Sequence, residues 1–444
     1  MAQTIPTVSI ADSVAFNLCQ IVPYYLRGIF TKNKFWISFW NKVHPDPLGV
    51  NFGRRLRRKY NSAYFQIYLF KTKALVVLDV DGIRRVLDNS PMLYAADPDL
   101  KRRGMSHFQP NALTISRGAE WKDRRKFNET VLASGQRVHP NADQFLRAID
   151  QATGLLTANA GRYLVWDHFD HLFKRVTLEI IFGHEARDDA GLADRLTQMM
   201  RESNRVFLLG KSKEFDLFYK RIRHYLESPE AGSLATICKH VPSSAQTKVE
   251  NQIPHWMFAM METLATNTMR ALALIISQPN VESRVRQEIQ ENGARTPEEI
   301  DRLNLLEGCI QEAMRLWPTT PMLMRQTVED DVLGGNTIPK GMQVLILNGF
   351  NHRDWETNPD AGRFCPDFWL DKRSDYRFNH LSNGTQVCAG KSLALFIAKA
   401  VLAGLLVRGR YVLRRPKLNL LRPLPFQFDE FVARFEYYRP FHSS

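Results

Sequence analysis

The pattern of apolar and polar positions divides the chain into a short strand-rich stretch, a long helical stretch and a second strand-rich stretch. Val50 to Tyr60 reads as a basic helix, and Tyr64 to Phe70 and Ala74 to Asp79 read as strands joined by a KTK turn. Residues 81–88 predict a short helix. Residues 89–116, broken by Pro91, Pro98, Gly104 and Pro110, predict a long irregular loop of the kind that carries function. A helix begins near Gly118, and helical spacing continues from Arg137 to His240 with breaks at Asp188–Gly191 and Gly210–Lys213. A long helix runs from about Val249 to Ser277, where Pro279 enforces a stop; Pro254 either kinks its first turns or marks a later start. At helical rise it measures roughly 40 Å, enough to cross a domain. Another helix spans Leu303 to Leu316. Residues 317–350 then return to turn and strand, ending in the apolar run Val344 to Leu347. An irregular meander, 351–370, leads into FNHLSNGTQVCAGKSLAL at 378–395, and Arg408 to Tyr438 closes the chain in strands and loops.

With 444 residues, 44% of them hydrophobic, the chain can bury a large core. Its five cysteines form no CxxC pair and no dense framework, which argues against a zinc site or a disulfide scaffold and predicts a reducing, cytoplasmic setting. Sixty Lys and Arg against 46 acidic residues give a net charge of +14, so the surface attracts acidic partners or anionic membranes. Nucleic acid is the obvious rival. The basic residues are scattered, the densest run being Arg54 to Lys59, and none sits in a nucleic-acid signature, so no nucleic-acid binding is expected. Val14 to Phe30 is apolar but interrupted by Asn17, Gln20, Pro23 and Arg27, too often to span a bilayer. It reads as a helix packed on the domain's own edge, with peripheral membrane contact left open.

Several positions carry candidate chemistry. Cys388 stands between Gly384 and Gly390 and directly before an apolar helix, whose N-terminal N–H groups favour a thiolate; the two glycines let the backbone come close to the sulfur. Trp121 and Arg125 share one face of the helix from Gly118 and together suit a buried carboxylate. Taken alone, that spacing more often marks a structural pair on a core helix. Glu262 and Thr263 interrupt an apolar helix: either they act in chemistry, or Glu262 faces solvent and Thr263 bonds back to the carbonyl of Ala259. Glu312 and Arg315 form an i,i+3 pair able to bridge.

In this order the motifs resemble those of the cytochrome P450 family, over roughly residues 50–444. The cysteine stretch resembles the haem-binding pattern Phe-x-x-Gly-x-x-x-Cys-x-Gly, FAMMET the oxygen-activating part of the central helix, EAMR the Glu-x-x-Arg motif, FCPDFW the Pro-Glu-Arg-Phe segment, and GAEWKDRR the Trp-x-x-x-Arg clamp. The resemblance implies a mainly α fold with a small β-rich lobe, and one domain over 1–444. Within it the β-rich lobe lies at roughly 50–80 plus 320–350, the haem-ligand loop at 378–390, and a long central helix crosses over the haem. It implies a soluble, bacterial-type haem-thiolate monooxygenase holding haem b, with Cys388 as the thiolate ligand. In that picture Trp121, Arg125, Arg325 and Gln386 meet the propionates, Leu381, Gly384 and Gly390 shape the loop, and Glu262 and Thr263 relay protons during oxygen activation. Glu312 and Arg315 lock the meander.

This sequence departs from the family's pattern at five positions. Leu381 replaces the loop's Phe, Gln386 a propionate-binding His or Arg, and Phe368 the meander's arginine, for which Arg363 is a candidate substitute. Met260 replaces the glycine three residues before Thr263, and Leu264 a second threonine, so two bulkier groups are expected near the iron. The implied pocket walls are apolar: Leu93, Phe108 and Leu113; Phe207 to Leu209; Ala259, Met260 and Leu264; Pro321, Met322 and Leu323; Phe426 and Phe428. A hydrophobic substrate follows, such as a terpenoid, a fatty acyl chain or an aromatic natural-product intermediate. Dioxygen is the co-substrate. Nothing in the chain resembles a flavin or iron–sulfur domain, so electrons come from outside. Lys122, Arg124, Lys126 and Lys391 predict a basic face for an acidic ferredoxin or flavodoxin. The alternatives are a peroxide-driven or isomerase-type haem-thiolate enzyme and a non-catalytic haem sensor.

Overall fold

The computed structural model describes residues 5–205, 210, 212–371, 375–419 and 422–439. The predicted wall segment Phe207 to Leu209 lies outside the described residues. The chain is mainly helical with small sheets, as the sequence predicts.

The largest sheet joins the two strand-rich stretches. Its order is Tyr64–Leu69, Thr72–Val77, Gln343–Ile346, Leu323–Thr327 and Tyr94–Ala95. Thr72–Val77 runs parallel to Gln343–Ile346, Ala74 opposite Gln343, and the other pairs are antiparallel. The first strand ends at Leu69, because Phe70 takes φ 51° in the turn. A smaller sheet pairs Arg434–Tyr438 with Tyr163–Leu164 and Arg410–Arg415.

The helical part is organised around Ile253–Ser277. Pro254 occupies its first turn, so it marks a later start rather than a kink; Val249–Asn251 is a separate 3-10 turn. Within it, Ala259–Leu264 winds as a π-helix, a feature frequent at functional sites. The helix packs against Trp166–Phe182, Asn304–Leu316 and Lys391–Arg408. The last of these is apolar nearly all round, as a core helix must be, and its one buried cation, Lys399, reaches Glu307 at 3.0 Å.

One expected loop holds a helix, and one expected helix is longer. Residues 89–116 contain Asp99–Ser106, started by Pro98 and an acidic first turn. The basic helix is longer than its pattern suggests, running Pro45–Lys59. The N-terminal segment is helical from Ile10 to Arg27 with a π-turn at Asn17–Ile21, followed by Lys34–Val43. Among the described residues no helix is long and apolar enough to cross a membrane.

Candidate active site

The cysteine loop is built by short-range backbone bonds. The Cys388 N–H donates to Leu381 O at 2.9 Å, Val387 N–H to Gly384 O at 3.1 Å, and Lys391 N–H to Cys388 O at 3.2 Å, handing the loop to the helix Lys391–Arg408. Ser382 and Gly384 both take positive φ. A Cβ on Gly384 would lie 2.4 Å from Leu87 O, so glycine is required there to dock the loop on the end of helix Val80–Asp88, not to admit the sulfur. Gly390 has no such restriction: a Cβ there would meet only Leu132 Cδ1, at 3.6 Å. From outside, the hydroxyl of Ser134 bonds Ala389 O, and Arg125 Nη1 donates to Val387 O at 2.8 Å.

Cys388 is the one exposed cysteine of the five, yet it is far from bulk water. Its exposed surface opens into an internal cavity of about 580 Å³ between this loop and the π-turn of the central helix. Burial pushes its thiol up, while the Gly390 N–H, Arg125 and Lys391 act the other way. The protein groups alone therefore do not make the expected thiolate; a metal ion at the sulfur would.

Most of the expected site residues line this cavity. Leu381, Gln386, Cys388 and Gly390 form one wall, Ala259, Met260, Glu262 and Thr263 another, with Trp121, Arg125 and Arg325 at the side and Leu113, Met322, Leu323 and Phe428 closing it. Four expected residues do not line it. Gly384 is turned to Leu87, as above. Phe108 stands behind Phe30 and Phe258, with ring centroids 5.9 and 6.4 Å away. Leu264, next to Thr263, points into the main core, and Leu93 packs in the cluster beside the large sheet. Met260 does share the cavity face with Thr263, so the larger group sits where expected.

Two cations of the cavity, Arg325 and Lys101, have no carboxylate partner among the described residues. Arg325 is buried, donates to Ser90 Oγ at 3.0 Å and to Met324 O at 3.0 Å, and meets no carboxylate among the described residues; burial lowers it to about 10. Lys101, in the helix that the sequence reading took for loop, donates to Ala96 O at 2.7 Å. Burial, with Arg325 nearby, lowers it to about 7. The buried Gln386 Oε1 and His255 Nδ1 have no partner among the described residues. A buried cation unpaired in a closed cavity is costly, and a group bearing two carboxylates would relieve two of them. The residues therefore fit haem: a sulfur on one wall, cations at the edge and apolar walls elsewhere.

The acid on the opposite wall is not free. Glu262 Oε1 accepts the backbone N–H of Lys32 at 2.9 Å, and the Thr31 side chain also bonds the carboxylate. Lys32 Nζ reaches Glu430 and the Thr266 hydroxyl, and Arg270 stands 3.5 Å from Glu430. Burial pushes the Glu262 carboxyl up, opposed by Lys32. Glu262 thus faces neither solvent nor an empty core. The threonine that bonds back along the helix is Thr266, to Glu262 O at 2.8 Å, rather than Thr263.

Glu312 and Arg315 lie outside the cavity, both fully buried and 2.7 Å apart. Arg315 donates to the carbonyls of His352, Ala361 and Arg363, which fixes the meander. The missing arginine at Phe368 is replaced by a neutral donor. The Trp369 indole N–H and the Cys365 N–H each give Glu312 a bond of 2.9 Å, while the Arg363 guanidinium faces outward to Asp360. Cys365, beside Glu312, does not line the cavity. On the clamp helix Gly118–Val131, Lys122 and Lys126 are exposed, but Arg124 is buried against Gln246 O and Ser116 and leaves the expected basic face.

Residues 239–411 match the family model Cytochrome P450. Cyclooctat-9-en-7-ol 5-monooxygenase of Streptomyces melanosporofaciens is 30% identical over 246 residues, covering 54% of this chain and 48% of that protein. Aromatase of Homo sapiens is 33% identical over 165 residues, 36% of this chain and 32% of that protein. Probable cytochrome P450 4s3 of Drosophila melanogaster is 30% identical over 171 residues, 38% of this chain and 34% of that protein. The aligned chain thus spans about half or less of the length of these relatives. Among solved structures, "Retinoic acid bound cyanobacterial CYP120A1" superposes with a TM-score of 0.70 at 17% identity, covering 88% of this chain and 94% of that one, which shows a shared fold. Residues 239–411 are thus similar to the cytochrome P450 family, and the fold over most of the chain is shared with a solved member.

Proposed function

We propose that the protein is a haem-thiolate monooxygenase, one domain over its whole length, acting on a hydrophobic small molecule with electrons from a separate donor. The observation that carries this reading is the placement of Cys388 on one wall of an apolar cavity edged by the unpaired cations Arg325 and Lys101. Haem b, when bound, supplies reductive activation of dioxygen and transfer of one oxygen atom to carbon. Cys388 Sγ would hold its iron, and Arg325, Lys101, Trp121 and Gln386 its propionates. Arg125 acts through the Val387 carbonyl, setting the loop rather than the cofactor's edge.

On the other wall the Glu262 carboxyl, raised by burial, holds a proton to higher pH than an ordinary glutamate, and the Thr263 hydroxyl on the same cavity wall would pass it inward. Met260 narrows the same wall and restricts how a substrate can lie; an unchanged product distribution and unchanged binding in Met260→Gly would refute that role. Leu113, Met322, Leu323 and Phe428 exclude water and favour an apolar guest. A cyclic terpenoid is our preferred substrate class, in line with the Streptomyces relative's name. For the donor we favour an acidic ferredoxin or flavodoxin docking on Lys122, Lys126 and Lys391, all exposed. Its reduction rate then falls as salt rises. We place the protein in the cytoplasm, its cysteines reduced.

The test is product formation from a terpenoid panel under three conditions: a donor pair with NADH, peroxide alone, and no reductant. The proposal expects turnover with the donor pair. Turnover with peroxide alone points to the peroxide-driven enzyme, rearrangement without reductant to the isomerase type, and haem binding with no product anywhere to a sensor.

A further inference from the structure

The first 78 residues carry eleven lysines and arginines against two aspartates, a concentration of charge that the whole-chain total of +14 conceals. Both aspartates are already paired, Asp12 with Lys59 at 2.6 Å and Asp46 with Arg27 at 2.9 Å. The same stretch exposes an unusual number of large apolar side chains. Helix Lys34–Val43 turns Ile37 inward, yet presents Phe35, 70% exposed, with Phe39 and Val43 at i+4 and i+8. Phe35, Trp36, Phe39 and Trp40 touch ring to ring along it, with centroids 5.0 to 6.2 Å apart. A second stripe, Ile10, Val14 and Leu18, runs along the first helical segment and forms a shallow groove with Phe70. Phe70 is 67% exposed at its turn, flanked by the exposed Lys71 and Lys73.

A surface helix that is apolar on both faces needs a cover on the outer one. Aromatic and aliphatic side chains framed by lysines match the boundary of an anionic bilayer, where rings sink about 5–10 Å and lysines meet headgroups. A purely aqueous acidic partner would leave the phenylalanines uncovered. We propose that this N-terminal face docks peripherally on an anionic lipid surface, through Phe35, Phe39 and Phe70 with Lys34, Lys42, Lys71 and Lys73. The segment that carries these stripes also walls the cavity through Ile29, Phe30 and Ile37, so a lipid-dissolved guest would meet the protein beside its pocket.

The test is sedimentation of the purified holoprotein with phosphatidylglycerol vesicles and with phosphatidylcholine vesicles, at low and high salt. Partition into the anionic vesicles should be about 10-fold stronger or more, and weaken with salt. The variant Phe35→Ser/Phe39→Ser should reduce it by about 10–100-fold, and Lys71→Ser/Lys73→Ser, which changes only exposed positions, by about 10-fold. Protein left in solution with both lipids would overturn the proposal, as would unchanged partition in both variants. A dimer in lipid-free solution that Phe35→Ser/Phe39→Ser dissolves, with no vesicle binding by the parent, would overturn it in favour of a second copy of the chain.

Discussion

The two walls of the cavity are made in opposite ways. The Cys388 loop takes its shape from neighbours in sequence, its backbone bonds joining Leu381 to Cys388, Gly384 to Val387 and Cys388 to Lys391, and is fastened from outside by Arg125, Ser134 and the Leu87 carbonyl. The Glu262 wall is completed from far away, by Thr31 and Lys32 near the N-terminus and Glu430 near the C-terminus, 230 and 398 residues apart from their partners in the chain. A local scaffold fixes geometry before a cofactor arrives. A long-range one sets the charge around an acid, and depends on the whole fold being assembled.

The largest effect that would break this contrast lies behind the cysteine loop. Glu312→Gln leaves the buried Arg315 without its counter-charge and should cost about 3–5 kcal/mol in denaturant unfolding. A much smaller loss would mean that the carbonyls of His352, Ala361 and Arg363 alone hold the meander. Gly384→Ala comes next. Its φ of 65° and the Leu87 carbonyl leave no room for a methyl group, and a destabilisation of about 2–4 kcal/mol with weakened cofactor retention is expected. Removing only the indole donor, Trp369→Phe, should cost about 1–2 kcal/mol.

On the other wall, Lys32→Met tests electrostatics through the pH profile, beside the stability lost when the buried Glu430 keeps only Arg270 as partner. Burial already favours the protonated Glu262, and Lys32 opposes it. An acid whose folded pKa is raised keeps its proton below that pKa and loses it as pH rises through it. Removing the lysine should therefore move the alkaline limb of kcat/KM to higher pH, and Glu262→Gln should remove that limb. A limb that stays in place in Lys32→Met would separate Glu262 from proton delivery.

What the sequence made legible follows the same division. Cys388, the Glu312–Arg315 pair and the hairpin of Tyr64–Leu69 with Thr72–Val77 rest on short spacings visible in the chain, whereas the pairings of Tyr94–Ala95, Leu323–Thr327 and Gln343–Ile346 join distant segments. Trp369 as the substitute donor left no sign in the pattern of charges, because the group that replaces the arginine is neutral. Lys101 was hidden in a stretch whose prolines and glycine suggested loop, although Pro98 followed by Asp99 is a helix start. The partners of Glu262 carried no local signal at all. Phe108 and Leu264 were placed on the pocket wall by their position in the family pattern, whereas their side chains pack one layer back.

The central claim is that Cys388 is the thiolate ligand, and the ferrous carbon monoxide spectrum of the reconstituted protein tests it most directly. The account predicts a thiolate-type Soret band in the parent and in Cys365→Ser, and its loss in Cys388→Ser. A thiolate-type band that persists in Cys388→Ser would contradict it.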